Sequence, residues 1–397
     1  MKSGPGSTSN TRNLMNNHTN LDRLKEVSLL FLKIGAFSFG GPAAYIAIMQ
    51  RETVRHRKWL DDQEFLDLVG ATNLIPGPNA TEMAIHLGLR RAGWRGFLSA
   101  GALFIIPGML ATLVLAWAYV EYGSLPQVGW ILYGIKPVVI AVILQALWDL
   151  GKKAVKGWLT ALVGVAVLGL YLFGLNEILL LFAGAAFVLI VYTVRHSGWK
   201  GTAAIGSLPL VKVPLAIAST AGFSQLTLFL SFLKIGAVLY GSGYVLLAFL
   251  RSEFVTRLGW LTNQQLLDAI AAGQATPGPV FSSATFVGYL VGSWPGALLA
   301  TLGIFLPSFV FVALLSRFMP WARKSPWART FLNGVNIASL GLMAGVTWEL
   351  GRSGVVDIFT LALAVLSLLL VLRFKVNSIW LILGGAVLGI VFKLVMG

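Results

Sequence analysis

Apolar stretches of about twenty residues, the length that crosses a bilayer as a helix, recur along most of the chain between short polar turns. In the first half the pattern predicts a membrane helix over 27–50 and spans near 96–120, 129–149, 157–174 and 177–194. In the second half it predicts a helix over 226–250 and spans near 296–317, 331–350, 354–372 and 377–395. Between the first helix and the spans, over 62–90 and 263–290, a helical pattern is cut by Ile75-Pro76-Gly77-Pro78-Asn79 and by Thr276-Pro277-Gly278-Pro279-Val280. Two prolines around a glycine remove N–H donors and clash with the preceding turn, so a helix ends there and another begins. Each half is therefore expected to hold about five transmembrane helices and a re-entrant broken helix pair. The fold class is an all-α polytopic membrane protein.

The halves are copies. Phe31-Leu32-Lys33-Ile34-Gly35-Ala36 aligns with Phe232-Leu233-Lys234-Ile235-Gly236-Ala237, and the same shift pairs Gly40 with Gly241, Glu52 with Glu253, Trp59 with Trp260, Asp67 with Asp268, and the two Pro-Gly-Pro turns. After one gap, Trp94 matches Trp294, Pro107 matches Pro307, and Trp148-Asp149-Leu150-Gly151 matches Trp348-Glu349-Leu350-Gly351. Residues 1–24, rich in Ser, Asn, Gly and Thr, are expected to be a disordered tail. The first repeat then covers 25–195, a linker 196–225 and the second repeat 226–397.

An odd number of crossings per repeat predicts inverted topology, and loop charge agrees with it. Arg51, Arg55, Arg57, Lys58, Arg90, Arg91 and Arg95 crowd loops of the first repeat whose counterparts hold only Arg251 and Arg257. Loop 121–128 has no Lys or Arg, whereas its counterpart carries Arg317, Arg323, Lys324 and Arg329. The N-terminus, which this scheme places outside, carries Arg12, Arg23 and Lys25 against the rule, which leaves a re-oriented or half-inserted first helix as the alternative.

Composition supports a membrane protein: 57% of residues are hydrophobic and 11% charged. The net charge of +15 would suggest nucleic acid in a soluble domain, but here it sets topology, and no nucleic-acid partner is expected. With no cysteine and four scattered histidines, disulfides, thiol chemistry and a metal cluster are excluded, and no cofactor is expected.

The candidate chemistry gathers at the breaks. Helix ends after Pro78 and Pro279 leave the N–H groups of Asn79 to Glu82 and of Val280 to Ser283 pointing into the break, where an anion is favoured. Asn73, Asn79 and Thr81, and opposite them Gln274, Ser282 and Ser283, offer further hydrogen bonds, or serve as ordinary caps. Lys33 and Lys234, each in the first helix of its half, are candidate counter-charges, against the alternative that they snorkel to the interface. Gly40, Gly41, Gly241 and Ser242 mark places for close approach or local unwinding. Glu52, Glu253, Asp67 and Asp268 are candidate proton carriers or partners of nearby basic residues. Glu82 and His86, one turn apart, have the non-ionisable counterparts Ser283 and Val287 and form a candidate proton path in one repeat.

At Phe37-Ser38-Phe39-Gly40-Gly41-Pro42, the Pro-Gly-Pro turns, Arg90-Arg91-Ala92-Gly93-Trp94, Trp294-Pro295-Gly296 and Pro307, the chain resembles the chromate ion transporter family in its long, two-domain form. The resemblance covers nearly the whole chain from about residue 25. It implies export of chromate across the bacterial inner membrane, driven by the proton gradient and conferring chromate resistance, with sulfate as the look-alike competitor. Residue types alone leave open a transporter of sulfate or another oxyanion, an anion channel, and a homodimeric assembly. An enzyme such as a chromate reductase would need a cofactor site, which the sequence lacks.

Overall fold

The computed structural model of the chain describes residues 8–39, 41–196, 222–240, 243–322 and 326–396. The first repeat contains α1 (Thr8–Phe37), α2 (Gly41–Gln50), α3 (Asp62–Thr72), α4 (Asn79–Tyr122), α5 (Pro126–Ala154), α6 (Trp158–Leu172) and α7 (Glu177–His196). The second contains α8 (Gln225–Val238), α9 (Leu246–Leu250), α10 (Asn263–Ala275), α11 (Ser283–Ala322), α12 (Pro326–Gly354), α13 (Ile358–Phe374) and α14 (Ser378–Met396). No strand occurs among the described residues. Most of the expected linker lies outside them, as do Gly40, Gly241 and Ser242. Helix α1 reaches back to Thr8, so residues 8–24, expected as a disordered tail, are helical as far as they are described.

The first crossing expected in each half, 27–50 and 226–250, is not one helix. A straight helix would hold Glu26 and Arg57 on the order of 45 Å apart. Instead Arg57 Nε lies 3.6 Å from Glu26 Oε1, and Trp59 Nε1 donates to the same carboxylate at 3.0 Å. The chain therefore turns back after Phe37, at Ser38 to Gly41, and α2 returns along α1. In the second repeat Ser231 Oγ donates to Glu253 at 2.6 Å across the equivalent turn. Among the described residues of these stretches, Gly41 opens α2 at φ +79°.

Helix α4 is likewise a hairpin. Ala92 and Gly93 leave helical geometry, with Gly93 at φ +61°. A Cβ on Gly88 would stand 2.2 Å from the carbonyl oxygen of Gly96, eight residues on, a contact impossible along a straight helix. Gly288 and Gly296 repeat it across the kink at Gly292 and Ser293 of α11. The expected re-entrant pairs are therefore α3 with the first limb of α4, and α10 with the first limb of α11. Helices α2, α3 and α10 and the first limb of α4 are about ten to thirteen residues long, roughly 15–20 Å, or about half the thickness of a bilayer core.

The remaining limbs form the scaffold. The long apolar helices include α5, α7, α12 and α14, with α6 and α13 shorter. Gly151 of α5 faces Leu340 of α12, whereas Gly354 of α12 faces Ile140 of α5, so these two counterpart helices run antiparallel. Helix α14 also opposes α5: Lys393 stands over the Tyr133 ring at 4.7 Å, and Gly385 meets Val138. Gly334 of α12 against Ala185 and Val188 of α7 is the matching contact. Of the counterpart helices, α5 and α12 thus run in opposite directions, the relation expected between inverted repeats.

Candidate functional site

The ascending limb of each re-entrant pair starts from a reciprocal cap. Asp61 accepts from the Glu64 backbone while the Glu64 side chain accepts from Asp61, and Thr262 with Gln265 does the same for α10. Each limb then runs into its Pro-Gly-Pro turn, where Gly77 has φ +133° and Gly278 φ +90°, conformations that favour glycine.

The two turns cross into the opposite repeat. The Gly77 amide donates to the carbonyl of Leu239, at the hairpin tip of the second repeat, at 2.7 Å. The Gly278 amide donates to the carbonyl of Ser38, at the tip of the first, at 3.4 Å. Each residue in one bond is the repeat counterpart of a residue in the other. The Tyr45 hydroxyl reinforces one side, 2.9 Å from Ser38 O and 2.6 Å from Gly278 O. All four hairpin tips thus meet around one axis.

Between them lies a cavity of about 40 Å³, lined by Pro42, Tyr45, Pro78 to Ala80, Gly243 and Pro279 to Phe281. By the measure in which one water needs about 10–15 Å³, this is room for a small polyatomic ion. The N–H groups of Thr81 and Glu82 turn back to Pro78 O at 2.8 and 3.1 Å, and that of Ser282 to Pro279 O at 2.9 Å. Those of Ser283 also stay within its own turn. Helix geometry therefore leaves the N–H groups of Asn79, Ala80, Val280 and Phe281 without an intrahelical acceptor, fewer donors than expected. All four residues line the cavity. Two helix amino ends thus converge on it, the arrangement that favours an anion.

Among the expected site residues, Asn79, Pro78 and Pro279 line this cavity. Asn79 Nδ2 donates to Asn73 Oδ1 at 2.6 Å, tying the ends of the first turn together. Pro76 and Pro277 complete the turns, and Gly41 opens α2 at φ +79°. Thr81 and Ser282, repeat counterparts, are buried with hydroxyls that have no hydrogen-bond partner, as is the side-chain NH₂ of Gln274. Ser283 Oγ donates to its own turn at Val280 O, 2.9 Å. Gly40, Gly241 and Ser242 lie outside the described residues.

The lysines have another task. Lys234 pairs with Glu253 at the base of the α8–α9 hairpin, where Arg257 and Ser231 also hold that carboxylate. Burial works to raise the Glu253 pKa, but hydrogen bonds from Arg257, Lys234 and Ser231, with the Lys234 charge, outweigh it and hold it below 4.5. Glu52 is held low in the same way, against burial, by Arg57, His56 and the charge of Lys33. Neither lysine lines the cavity, and both acids are committed to ion pairs. Asp67 sits half-buried beside Gln63, whereas Asp268 is buried, 3.2 Å from Lys136 Nζ and 3.0 Å from the Tyr119 hydroxyl.

Glu82 differs from these acids. It is wholly buried, folded over Gly77, and one oxygen accepts from Ser308 Oγ at 3.4 Å while the other has no hydrogen-bond partner. In the second repeat its counterpart is Ser283, and the counterpart of Ser308 is Gly108, which packs directly on Gly278. His86 is buried one turn along from Glu82.

The sequence model of the family described as "Chromate transporter" matches residues 25–189 and again 226–390, one match per repeat. The chain belongs to the chromate transporter family. It is 33% identical over 374 residues to a chromate transport protein of Cupriavidus metallidurans, covering 92% of each chain. It is 32% identical over 354 residues to a probable chromate transport protein of Synechococcus elongatus, covering 87% of this chain and 89% of that one. A chromate transport protein of Pseudomonas aeruginosa is 32% identical over 334 residues, with 81% and 80% covered. No solved structure matches. These relatives are named as transporters, and the chain is a multi-pass membrane protein of that kind.

Sequence reasoning missed Tyr45 in the wall and Ser308 beside Glu82. Tyr45 carried no signal, because its counterpart Leu246 has no hydroxyl. Ser308 carried one: it follows Pro307 where the first repeat has Pro107-Gly108, an asymmetry that parallels Glu82 against Ser283.

Proposed function

We propose that this transporter moves chromate out of the cytoplasm across the bacterial inner membrane, in exchange for protons, and so confers chromate resistance. The observation that carries the reading is the convergence of two helix amino ends, one from each repeat, on a small cavity. A tetrahedral dianion needs donors from several directions, and opposed helix ends supply them without a bidentate clamp. Interrupted helices in paired positions of two halves are where secondary transporters bind substrate.

The inverted relation supplies the cycle. Tips from both halves share the cavity, so rocking one repeat against the other exposes the same anion first to one side, then to the other. Glu82 is the proton carrier in this scheme: it lies against the first Pro-Gly-Pro turn and lacks a counter-cation among the described residues. Gaining or losing a proton there changes the charge beside the anion. Loop charge favours the end that carries Arg51, Arg57, Arg90 and Arg91 as cytoplasmic.

Sulfate has the same shape and charge, and the backbone amides do not distinguish it, so a general oxyanion carrier is the second reading. Chromate accumulation in everted vesicles, with and without an imposed pH gradient and with sulfate as competitor, tests both. Uptake that rises with the gradient and resists excess sulfate supports a proton-coupled chromate exporter. Uptake indifferent to the gradient removes the coupling, and equal transport of sulfate changes the substrate.

A further inference from the structure

A polar concavity lies away from the transport cavity, where α1 crosses the kink of α4. Its volume is about 820 Å³, and Arg23, Arg90, Arg91 and Arg95 line it together with Leu21, Leu24 and Leu89. Four guanidinium groups in one concavity call for an anion.

Some of that charge is already compensated. Arg91 makes two hydrogen bonds to Glu26, at 3.1 and 2.7 Å, and stands over the Trp59 ring at 5.4 Å. Arg90 lies 3.5 Å from Glu64. No carboxylate pairs with Arg23 or Arg95 among the described residues. The concavity therefore keeps two uncompensated guanidinium groups, with leucines between them.

The fold does not require this feature, because the second repeat omits it. The counterparts of Arg23, Arg90, Arg91 and Arg95 are Ser224, Leu290, Val291 and Pro295. The counterpart kink is covered by Phe223 and by Gln225, whose Nε2 donates to Gly292 O at 3.4 Å. One end of an otherwise duplicated structure has been opened and made basic.

Its depth is marked by its neighbours. Trp94, 62% exposed, sits at the kink, and from Phe97 onward the second limb of α4 is apolar to Tyr119. Tryptophan and arginine at the mouth of an apolar span belong at the level of lipid headgroups. The volume is some twenty times that of the transport cavity, far more than a tetrahedral oxyanion fills, and the leucines suit the glycerol and upper acyl carbons of a lipid.

We propose that this concavity binds the headgroup of an anionic phospholipid, with Arg23 and Arg95 on its phosphodiester. The lipid would hold α1 against the kink of α4.

The test uses the full-length protein in nanodiscs. Retained lipid is counted by native mass spectrometry and thermal stability is followed, in phosphatidylglycerol against phosphatidylcholine. Wild type is expected to retain phosphatidylglycerol selectively and to melt higher with it. The Arg23→Gln/Arg95→Gln pair should bind it on the order of thirtyfold more weakly, since two basic groups each contribute about fivefold near an anionic surface. Arg23→Lys/Arg95→Lys should retain most of the preference, and Arg373→Gln/Lys375→Gln, at another loop, all of it. An unchanged preference in the glutamine pair overturns the assignment. So does stabilisation of wild type in phosphatidylcholine by inorganic phosphate or chromate alone that the glutamine pair loses, which would make this a site for a free oxyanion.

Discussion

At the scale of single residues, Glu82 and Lys234 show how like charges receive unlike tasks. Glu82 is a buried carboxyl against one hydroxyl, in a place where the other repeat has closed glycine against glycine. If it carries the proton, Glu82→Gln should leave chromate binding measurable but make uptake in vesicles independent of the pH gradient. An unaltered gradient response in that variant would remove Glu82 from the cycle. Lys234, expected beside the anion, instead neutralises Glu253. Lys234→Ala should therefore lower thermal stability, by about 2 kcal/mol for a charge-assisted bond to a buried carboxylate, while leaving the KM for chromate unchanged. The same pair sets an acid limit. The folded pKa of Glu253 lies below its unfolded value, so its contribution is complete above the ordinary glutamate range and is lost as pH falls through the lower folded value. Melting temperature should hold from pH 8 to about 5 and then drop, with a smaller drop in Glu253→Gln.

Tyr45 is the residue that ties two tips together, and its effect is expected to be local. Tyr45→Phe removes one hydroxyl shared by the carbonyls of Ser38 and Gly278, which should cost about 1 kcal/mol in a denaturation series.

At the scale of elements, the Pro-Gly-Pro turns were legible in the sequence because their physics is local: missing donors, ring clashes and a glycine free to take positive φ. The reverse caps Asp61 with Glu64 and Thr262 with Gln265 are local in the same way. What was not legible is the fold-back of α1 on α2. Residues 27–50 form an apolar run of spanning length, and length alone cannot tell one crossing from two half-depth limbs. The decision rests on Glu26 meeting Arg57 and on Lys234 meeting Glu253, contacts that no periodicity encodes. The pairing of Lys234 with Glu253, which competes with a role beside an anion, is equally invisible to periodicity. Gly77→Ala and Gly278→Ala follow from this scale. The first sets a Cβ 2.2 Å from Glu82 Oε1 and 2.7 Å from Ser308 Oγ, the second 3.1 Å from Gly108 Cα, both at φ that a side chain resists. Each should reduce the yield of folded protein and abolish uptake, with Gly77→Ala the more severe.

At the scale of the whole molecule, duplication was readable from identities at a fixed shift, and loop charge pointed to inversion. The structure adds how the halves are joined: each repeat places its turn on the tip of the other, so neither site element is complete alone. This interdependence was invisible in the sequence because a backbone-to-backbone bond, Gly77 to Leu239 or Gly278 to Ser38, selects no side chain. The asymmetry of Glu82 against Ser283 falls beside these joining turns.

The central claim is that chromate passes through the cavity enclosed by the four tips. Gly243 lines it, with space toward the Phe281 ring that a Cβ would reach at 3.4 Å, so a larger side chain there fills the cavity without touching any ion pair. The direct measurement is radiolabelled chromate uptake by everted vesicles carrying wild type or Gly243→Leu, with assembly of the variant checked by size-exclusion chromatography. The account predicts background uptake from a variant that is still monodisperse. Wild-type uptake with an unchanged KM would contradict it and move the pathway elsewhere.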